Sequence, residues 1–208
     1  MNNITLYRHA LSGHAHRVEN FLSILNIPTT LVDVDLMGGE HLQPAFQQKN
    51  HFTEVPVIED GDITLSDSNA ILVYLATKYD DSRTWLPTNP NEAAEIQRFL
   101  SIAAGPIAFG VAKARLINVF GIDEDPAAAI EIAHSILASL NAFLQGRQWF
   151  VTEHPTIADI TLYSYIAHAP EGNVSLSDYS NITRWLSDVE NIKNFIPMQK
   201  TKVGFSAE

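Results

Sequence analysis

The first 36 residues switch between two hydrophobic periods, and that order restricts the fold more than any other feature. Ile4 and Leu6 recur at every second position, as on one face of a strand. Val18, Phe21, Leu22 and Leu25 recur at helical spacing, so residues 15–26 read as a helix, closed by the stretch from Asn26 to Pro28. Val32, Val34 and Leu36 then alternate as a second strand. A strand, a helix and a strand in so short a span form a βαβ unit with a right-handed crossover.

The pattern continues and then changes. Residues 37–53 are irregular. VPVIEDGDITL gives two short strands around Asp60–Gly61, a hairpin signal. SDSNAILVYLATKY follows as a helix, with Ser66 or Asp67 as its N-cap and Ile71, Tyr74 and Leu75 as its buried stripe. The polar, proline-bearing stretch YDDSRTWLPTNP then reads as a linker. Everything after it reads helical. Candidate helices cover 91–119, with a kink expected at Gly105–Pro106, then 125–145, PTIADITLYSYIAHA and 179–190. The fold class is α/β plus all-α, with a βαβ-ββα domain at 1–79, a linker at 80–90 and a helical domain at 91–208. The final TKVGFSAE carries no strong periodicity, as expected of a disordered tail.

Composition narrows the chemistry. A net charge of −11 supplies no basic surface for phosphates, so nucleic acid is not an expected partner. The absence of cysteine removes disulfides, thiolate metal sites and any protein thiol nucleophile. The eight histidines show no helical ligand spacing and no carboxylate cluster, so no metal site is expected. No apolar run of membrane-spanning length is expected, and the strand pattern starts without a basic-then-apolar leader. A cytoplasmic protein is the expectation.

Three stretches are candidates for chemistry. In RHALSGHAHRVENFL, Ser12 and Gly13 stand where a helix begins; the serine either caps that helix or presents a hydroxyl beside its free N–H groups. In EVPV, Pro56 at the start of an inner strand cannot donate a ladder bond. A trans edge proline is the ordinary explanation, since only about 5% of X–Pro bonds are cis. A cis bond would instead leave the backbone of Val55 facing outward for a ligand. In LSDSNAI, Asp67 and Ser68 open a helix whose N-terminus can hold a carboxylate while Asp67 holds an ammonium; plain capping is the competing and favoured explanation. Thr156 and Asp159 form a capping-box pattern and are assigned no chemistry.

LYRHALSGHAHRV, NHFTEVPVIEDGDITLSDSNAILVYLA and TIADITLYSY, in this order and with this linker, resemble the glutathione transferase family over nearly the whole chain. The details resemble its serine-type cytosolic members, of the theta, phi and related bacterial groups. The resemblance implies a thioredoxin-like N-terminal domain that binds glutathione, a helical C-terminal domain, usually a homodimer, and a role in detoxification. It implies a cis Pro56, against the ordinary expectation. It makes Ser12 the catalytic hydroxyl that donates to the glutathione sulfur. A bond that favours the charged form lowers its pKa. Taking a thiol from about 8.5 to about 6.5 raises the thiolate at pH 7 from about 3% to about three quarters. Tyr7 is the rival hydroxyl but lies inside the strand.

The resemblance also implies that Asp67 and Ser68 hold the γ-glutamyl end of glutathione. Val55, ahead of Pro56, would pair with the cysteinyl part, and His41 and Glu54 would stand at the glycyl end. A pocket for a small hydrophobic electrophile would be lined by Leu11 and Gly13 on one side and Phe109 and Lys113 on the other. Glutathione is the implied co-substrate. The sequence departs from the family pattern at Leu42, where many relatives have lysine, and at Glu54, where many have glutamine. A carboxylate about 5 Å from the glycyl carboxylate would repel it by roughly 3 kcal/mol at an effective dielectric near 20, less with salt. Glu54 either turns to solvent, is protonated, or pairs with Lys49, His41 or His51. Three functions remain open at this point: conjugation of glutathione to an electrophile, glutathione-dependent reduction of a disulfide or peroxide, and a non-catalytic binding module.

Overall fold

The computed structural model describes residues 3–201. Its contacts divide into two compact units. The first gathers the chain up to Arg83 together with Ile192–Gln199, and the second holds Thr84–Asn191 and the segment from Lys200.

In the first unit, β1 (Ile4–Arg8), β2 (Thr29–Asp33), β3 (Val57–Asp60) and β4 (Ile63–Ser66) form one sheet in the order β2-β1-β3-β4. β2 pairs with β1 in parallel; β1–β3 and β3–β4 are antiparallel. Helices α1 (Gly13–Ile24) and α3 (Ser68–Tyr79) pack on each other and on the sheet. This is the thioredoxin-like βαβ-ββα arrangement. Register explains the two faces: Leu6 stands opposite Ile58 and both are fully buried, while Tyr7 stands opposite Val57 on the other face, packed with Val34 and Phe46. The helical stripe Val18, Phe21 and Leu22 is buried as its spacing requires.

Three local expectations shift. The first helix begins at Gly13, two residues early, because Ser12 caps it. The second strand pairs over 29–33 rather than through Leu36, although the Val34 N–H still donates to the Arg8 carbonyl at 2.7 Å. The irregular stretch holds a 3₁₀ turn at Glu40–Leu42 and a short helix α2 (Pro44–Gln47). The hairpin is tied to α3 through Asp60, a buried carboxylate that accepts from Tyr74 (2.8 Å), Lys78 (2.7 Å) and Tyr79 (2.6 Å). Burial pushes its pKa up, but these donors outweigh that and hold it below the ordinary value.

The second unit is helical: α4 (Pro90–Ile102), a π-helical segment (Ala103–Ala112), α5 (Lys113–Phe120), α6 (Ala127–Phe143), α7 (Ile157–Ala167) and α8 (Ser180–Glu190). The kink falls where the sequence placed it, at Gly105, whose φ of −103° and ψ of −105° are not helical, next to Pro106. Contrary to the sequence expectation, Pro90–Phe120 is a helical run long and apolar enough to cross a bilayer. Its residues Ile96, Phe99, Ala103, Ile107, Val111 and Ala114 are buried within this unit. The segment Ile192–Gln199, which the sequence assigned to the helical domain, groups instead with the first unit. The Ile196 carbonyl lies 2.9 Å from His16 Nε2, its N–H donates to Asn20 Oδ1, and Ser23 donates to the Asn194 carbonyl. The tail beyond Thr201 lies outside the described residues.

The π-helical segment approaches α6 closely at Gly110. A Cβ there would stand 2.7 Å from the Ala133 backbone nitrogen and 2.9 Å from an Ile132 methyl. Backbone cannot yield as a side chain can, so Gly110→Ala is expected to cost about 1–3 kcal/mol, read as a lower urea midpoint.

Candidate functional site

Ser12 sits at the N-cap of α1. Its extended backbone lets its carbonyl start the helix by accepting from His16 N–H, and its Oγ accepts from Ala15 N–H at 3.2 Å. The Ser12 N–H is itself held by the His9 carbonyl at 2.9 Å, and His9 Nδ1 accepts from Leu11 N–H. The loop is therefore pinned by His9, which sequence reasoning did not single out. The capping bond uses an oxygen lone pair and leaves the hydroxyl proton for another acceptor. The capping alternative raised by the sequence is thus observed, and it uses an acceptor site of the hydroxyl only. Gly13, buried, occupies the first helical position, where the N–H has no intrahelical partner. Leu11 precedes them, partly buried.

The Val55–Pro56 bond is cis. β3 begins only at Val57, so Val55 stands outside the ladder. The turn before it is organised by Asn50, 5% exposed, which donates to the Glu54 carbonyl at 2.9 Å and accepts from Phe52 N–H at 3.0 Å. Asn50 was not among the sequence candidates.

Asp67 caps α3 through Oδ1, which accepts from Ala70 N–H at 2.8 Å. It does so with φ 69° and ψ 120°, a conformation a non-glycine residue adopts at a cost of about 1–3 kcal/mol. Its carboxylate is exposed. Ser68 is 3% exposed and turned inward: Arg17 Nη1 donates to its Oγ at 3.2 Å, and His14 Nδ1 lies 3.3 Å from the same oxygen. Arg17 also donates to Asn69 Oδ1 at 3.1 Å. Burial first, and the charge of Arg17 second, push His14 down to about 3, so its imidazole is neutral at pH 7. Neither Arg17 nor His14 was read as functional. The available signal was spacing, since both stand on the stripe of Val18 and Phe21.

His41 lies in the 3₁₀ turn, half-buried, and its Nδ1 is a buried atom with no hydrogen-bond partner among the described residues. Leu42 is 55% exposed beside it. Of the three fates weighed for Glu54, the side chain turns to solvent. Lys49, one of its possible partners, bonds Glu59 instead and lies over the Tyr7 ring at 4.7 Å. Tyr7 donates to Glu59 at 2.8 Å and packs edge-on against Phe46, so its hydroxyl is committed within the strand.

The first unit thus carries Leu11, Ser12, Gly13, His41, Glu54, Val55, Pro56, Asp67 and Ser68. Phe109 and Lys113 belong to the second. Phe109 is 68% exposed, and Lys113 Nζ pairs with the Glu124 carboxylate at 2.8 Å. Thr156 and Asp159 form the capping box of α7, as the sequence indicated.

Two family models match this chain: the glutathione S-transferase N-terminal domain over residues 2–77 and the glutathione S-transferase C-terminal domain over residues 105–193. The chain is 29% identical over 196 residues to glutathione S-transferase theta-2 of Rattus norvegicus, covering 90% of this chain and 80% of that protein. It resembles the crystal structure of a glutathione S-transferase from Pseudomonas fluorescens with a TM-score of 0.88 and 29% identity, over 95% of this chain and 99% of the other. A glutathione transferase homologue of Drosophila mojavensis, solved with bound glutathione, has a TM-score of 0.85 and 26% identity, over 93% and 90% of the two chains.

Proposed function

Because the chain belongs to the glutathione S-transferase family, we propose that it is a transferase that activates the glutathione thiol for attack on a small hydrophobic electrophile, with Ser12 as the activating hydroxyl. The observation that carries this reading is the Ser12 side chain itself. It is fixed at the start of α1 by one accepted bond, and accepting a bond does not use the hydroxyl proton. Donated to a sulfur, that proton favours the thiolate, and the N-terminal end of α1 acts in the same direction. The thiolate then forms the carbon–sulfur bond as the electrophile's leaving group departs or its double bond takes up the electron pair.

In the same reading Asp67 and the first turn of α3 receive the γ-glutamyl head group. The backbone strain at Asp67 and its exposed carboxylate support this, since strained caps gather at ligand sites. Ser68 contributes through backbone position rather than a free hydroxyl. Val55, ahead of the cis Pro56, takes the cysteinyl backbone. The unpartnered ring nitrogen of His41 supports a ligand at the glycyl end. On the first unit, Leu11 and Gly13 are the residues proposed to meet the electrophile. The proposal includes a homodimer and a cytoplasmic, detoxifying role.

Leu42 and Glu54 favour a second reading, a binding module with an altered glycyl end. Calorimetric titration with glutathione separates the two. The wild type is expected to bind, and Glu54→Gln to bind a few-fold more tightly, since an exposed carboxylate repels by about 1 kcal/mol after screening. Absence of binding to both proteins would remove the transferase reading and leave the binding module.

A further inference from the structure

The Arg17 guanidinium is a charged group 1% exposed in a unit whose proposed ligand carries carboxylates. It stands on α1 and reaches across to α3, where one nitrogen donates to the first two residues of that helix, Ser68 at 3.2 Å and Asn69 at 3.1 Å. These residues follow the strained cap at Asp67. We propose that Arg17 is a positioning residue for glutathione, fixing the first turn of α3 and placing a permanent positive charge behind it for the α-carboxylate of the γ-glutamyl group. This rests on the transferase reading above.

The hydrogen-bond accounting supports it. Ser68 Oγ accepts from Arg17 and shares a hydrogen bond with Nδ1 of the neutral His14. Held between these two partners and 3% exposed, the serine side chain is turned inward. A carboxylate at this helix end is therefore met by backbone N–H groups of the first turn, and those groups are where Arg17 holds them. Arginine suits the task because it never loses its charge and its planar fork reaches two acceptors at once. Lysine keeps the charge without that geometry. The effect acts on binding, since Arg17 bonds the first turn of α3, whereas Ser12 at the start of α1 is the group proposed to meet the sulfur.

The test pairs two variants with two thiols, glutathione and γ-aminobutyryl-cysteinyl-glycine, which lacks only the α-carboxylate. Arg17→Gln is expected to raise KM for glutathione about tenfold or more with kcat within about twofold of wild type. Arg17→Lys is expected to recover part of that loss and, by circular dichroism, the wild-type fold. The analogue should bind wild type more weakly than glutathione does, and bind wild type and Arg17→Gln alike. Equal losses for the two thiols in both variants would mean a purely structural role and overturn the proposal, as would a fall in kcat at unchanged KM. If wild type bound neither thiol, the transferase reading itself would fall and this proposal with it. Glutathione binding unchanged in Arg17→Gln would overturn the proposal alone.

Discussion

Ser12→Ala is expected to lower turnover with glutathione and an activated aryl halide about 50-fold at pH 6.5, while glutathione affinity changes little. The estimate follows from the thiol: losing a bond that lowers its pKa by about two takes the thiolate at this pH from about one half to about 1%. The deficit should shrink as pH rises, because the free thiol ionises on its own near pH 8.5. A rate profile from pH 6 to 9 checks this. Wild type should level off early and the variant keep climbing. The cap contributes too, so the variant is also expected to lose about 1 kcal/mol of stability, a loss that leaves it folded. Turnover equal to wild type across that range would remove Ser12 from the mechanism.

Asp159→Ala carries the largest expected effect on folding. Asp159 is fully buried and receives Thr156 N–H at 2.9 Å, Thr156 Oγ at 3.3 Å, Phe150 N–H at 3.2 Å and the Trp185 indole N–H at 3.0 Å. It joins the start of α7 to the aromatic core of the second unit, where Phe99 and Phe150 lie 4.8 Å apart and Phe150 and Trp185 5.1 Å. Removing the carboxyl orphans three buried N–H donors at about 1–3 kcal/mol each, so a loss of about 3–5 kcal/mol is expected, enough to unfold a marginal domain. Chemical denaturation followed by tryptophan fluorescence measures it. A loss below about 1 kcal/mol would contradict the account.

The same group sets a pH dependence. Burial pushes the Asp159 carboxyl up to about 6, against the donors from Thr156, Trp185 and Phe150. A folded-state pKa above the ordinary 3.8 means the folded protein holds the proton more firmly than the unfolded chain. That contribution is complete below pH 4 and is lost as pH rises from about 4 to about 6. Asp159→Asn, which cannot ionise, should lack this component.

Much of the first unit was legible because strand and helix periods differ sharply. Leu6 and Val18 announce their faces by spacing, and the core follows. The caps at Ser12, Asp67 and Thr156 were legible because a cap needs a particular side chain at a particular position. What periodicity could not show was where polar side chains go once buried. Arg17 and His14 stand on the buried stripe of α1, yet spacing gives no sign that both turn to Ser68, 54 and 51 positions along the chain from His14 and Arg17 respectively. Lys49, in the loop after α2, pairs with Glu59 on β3 rather than with Glu54, a tertiary choice that no local pattern encodes. The grouping of Ile192–Gln199 with the first unit is of the same kind. Its attachment to α1 rests on bonds from His16, Asn20 and Ser23 to backbone atoms, and these leave no trace in hydropathy. The helix itself was legible over 91–119; what went unread was that an apolar window of bilayer-spanning length lies within Pro90–Phe120.

The measurement closest to the central claim is the ionisation of glutathione bound to the protein, followed by thiolate absorbance in wild type and in Ser12→Ala. The account predicts a bound thiol near pH 6.5 in wild type, about two below the free thiol, and a return to about 8.5 in the variant. A bound thiol that ionises at the same pH in both proteins would contradict it.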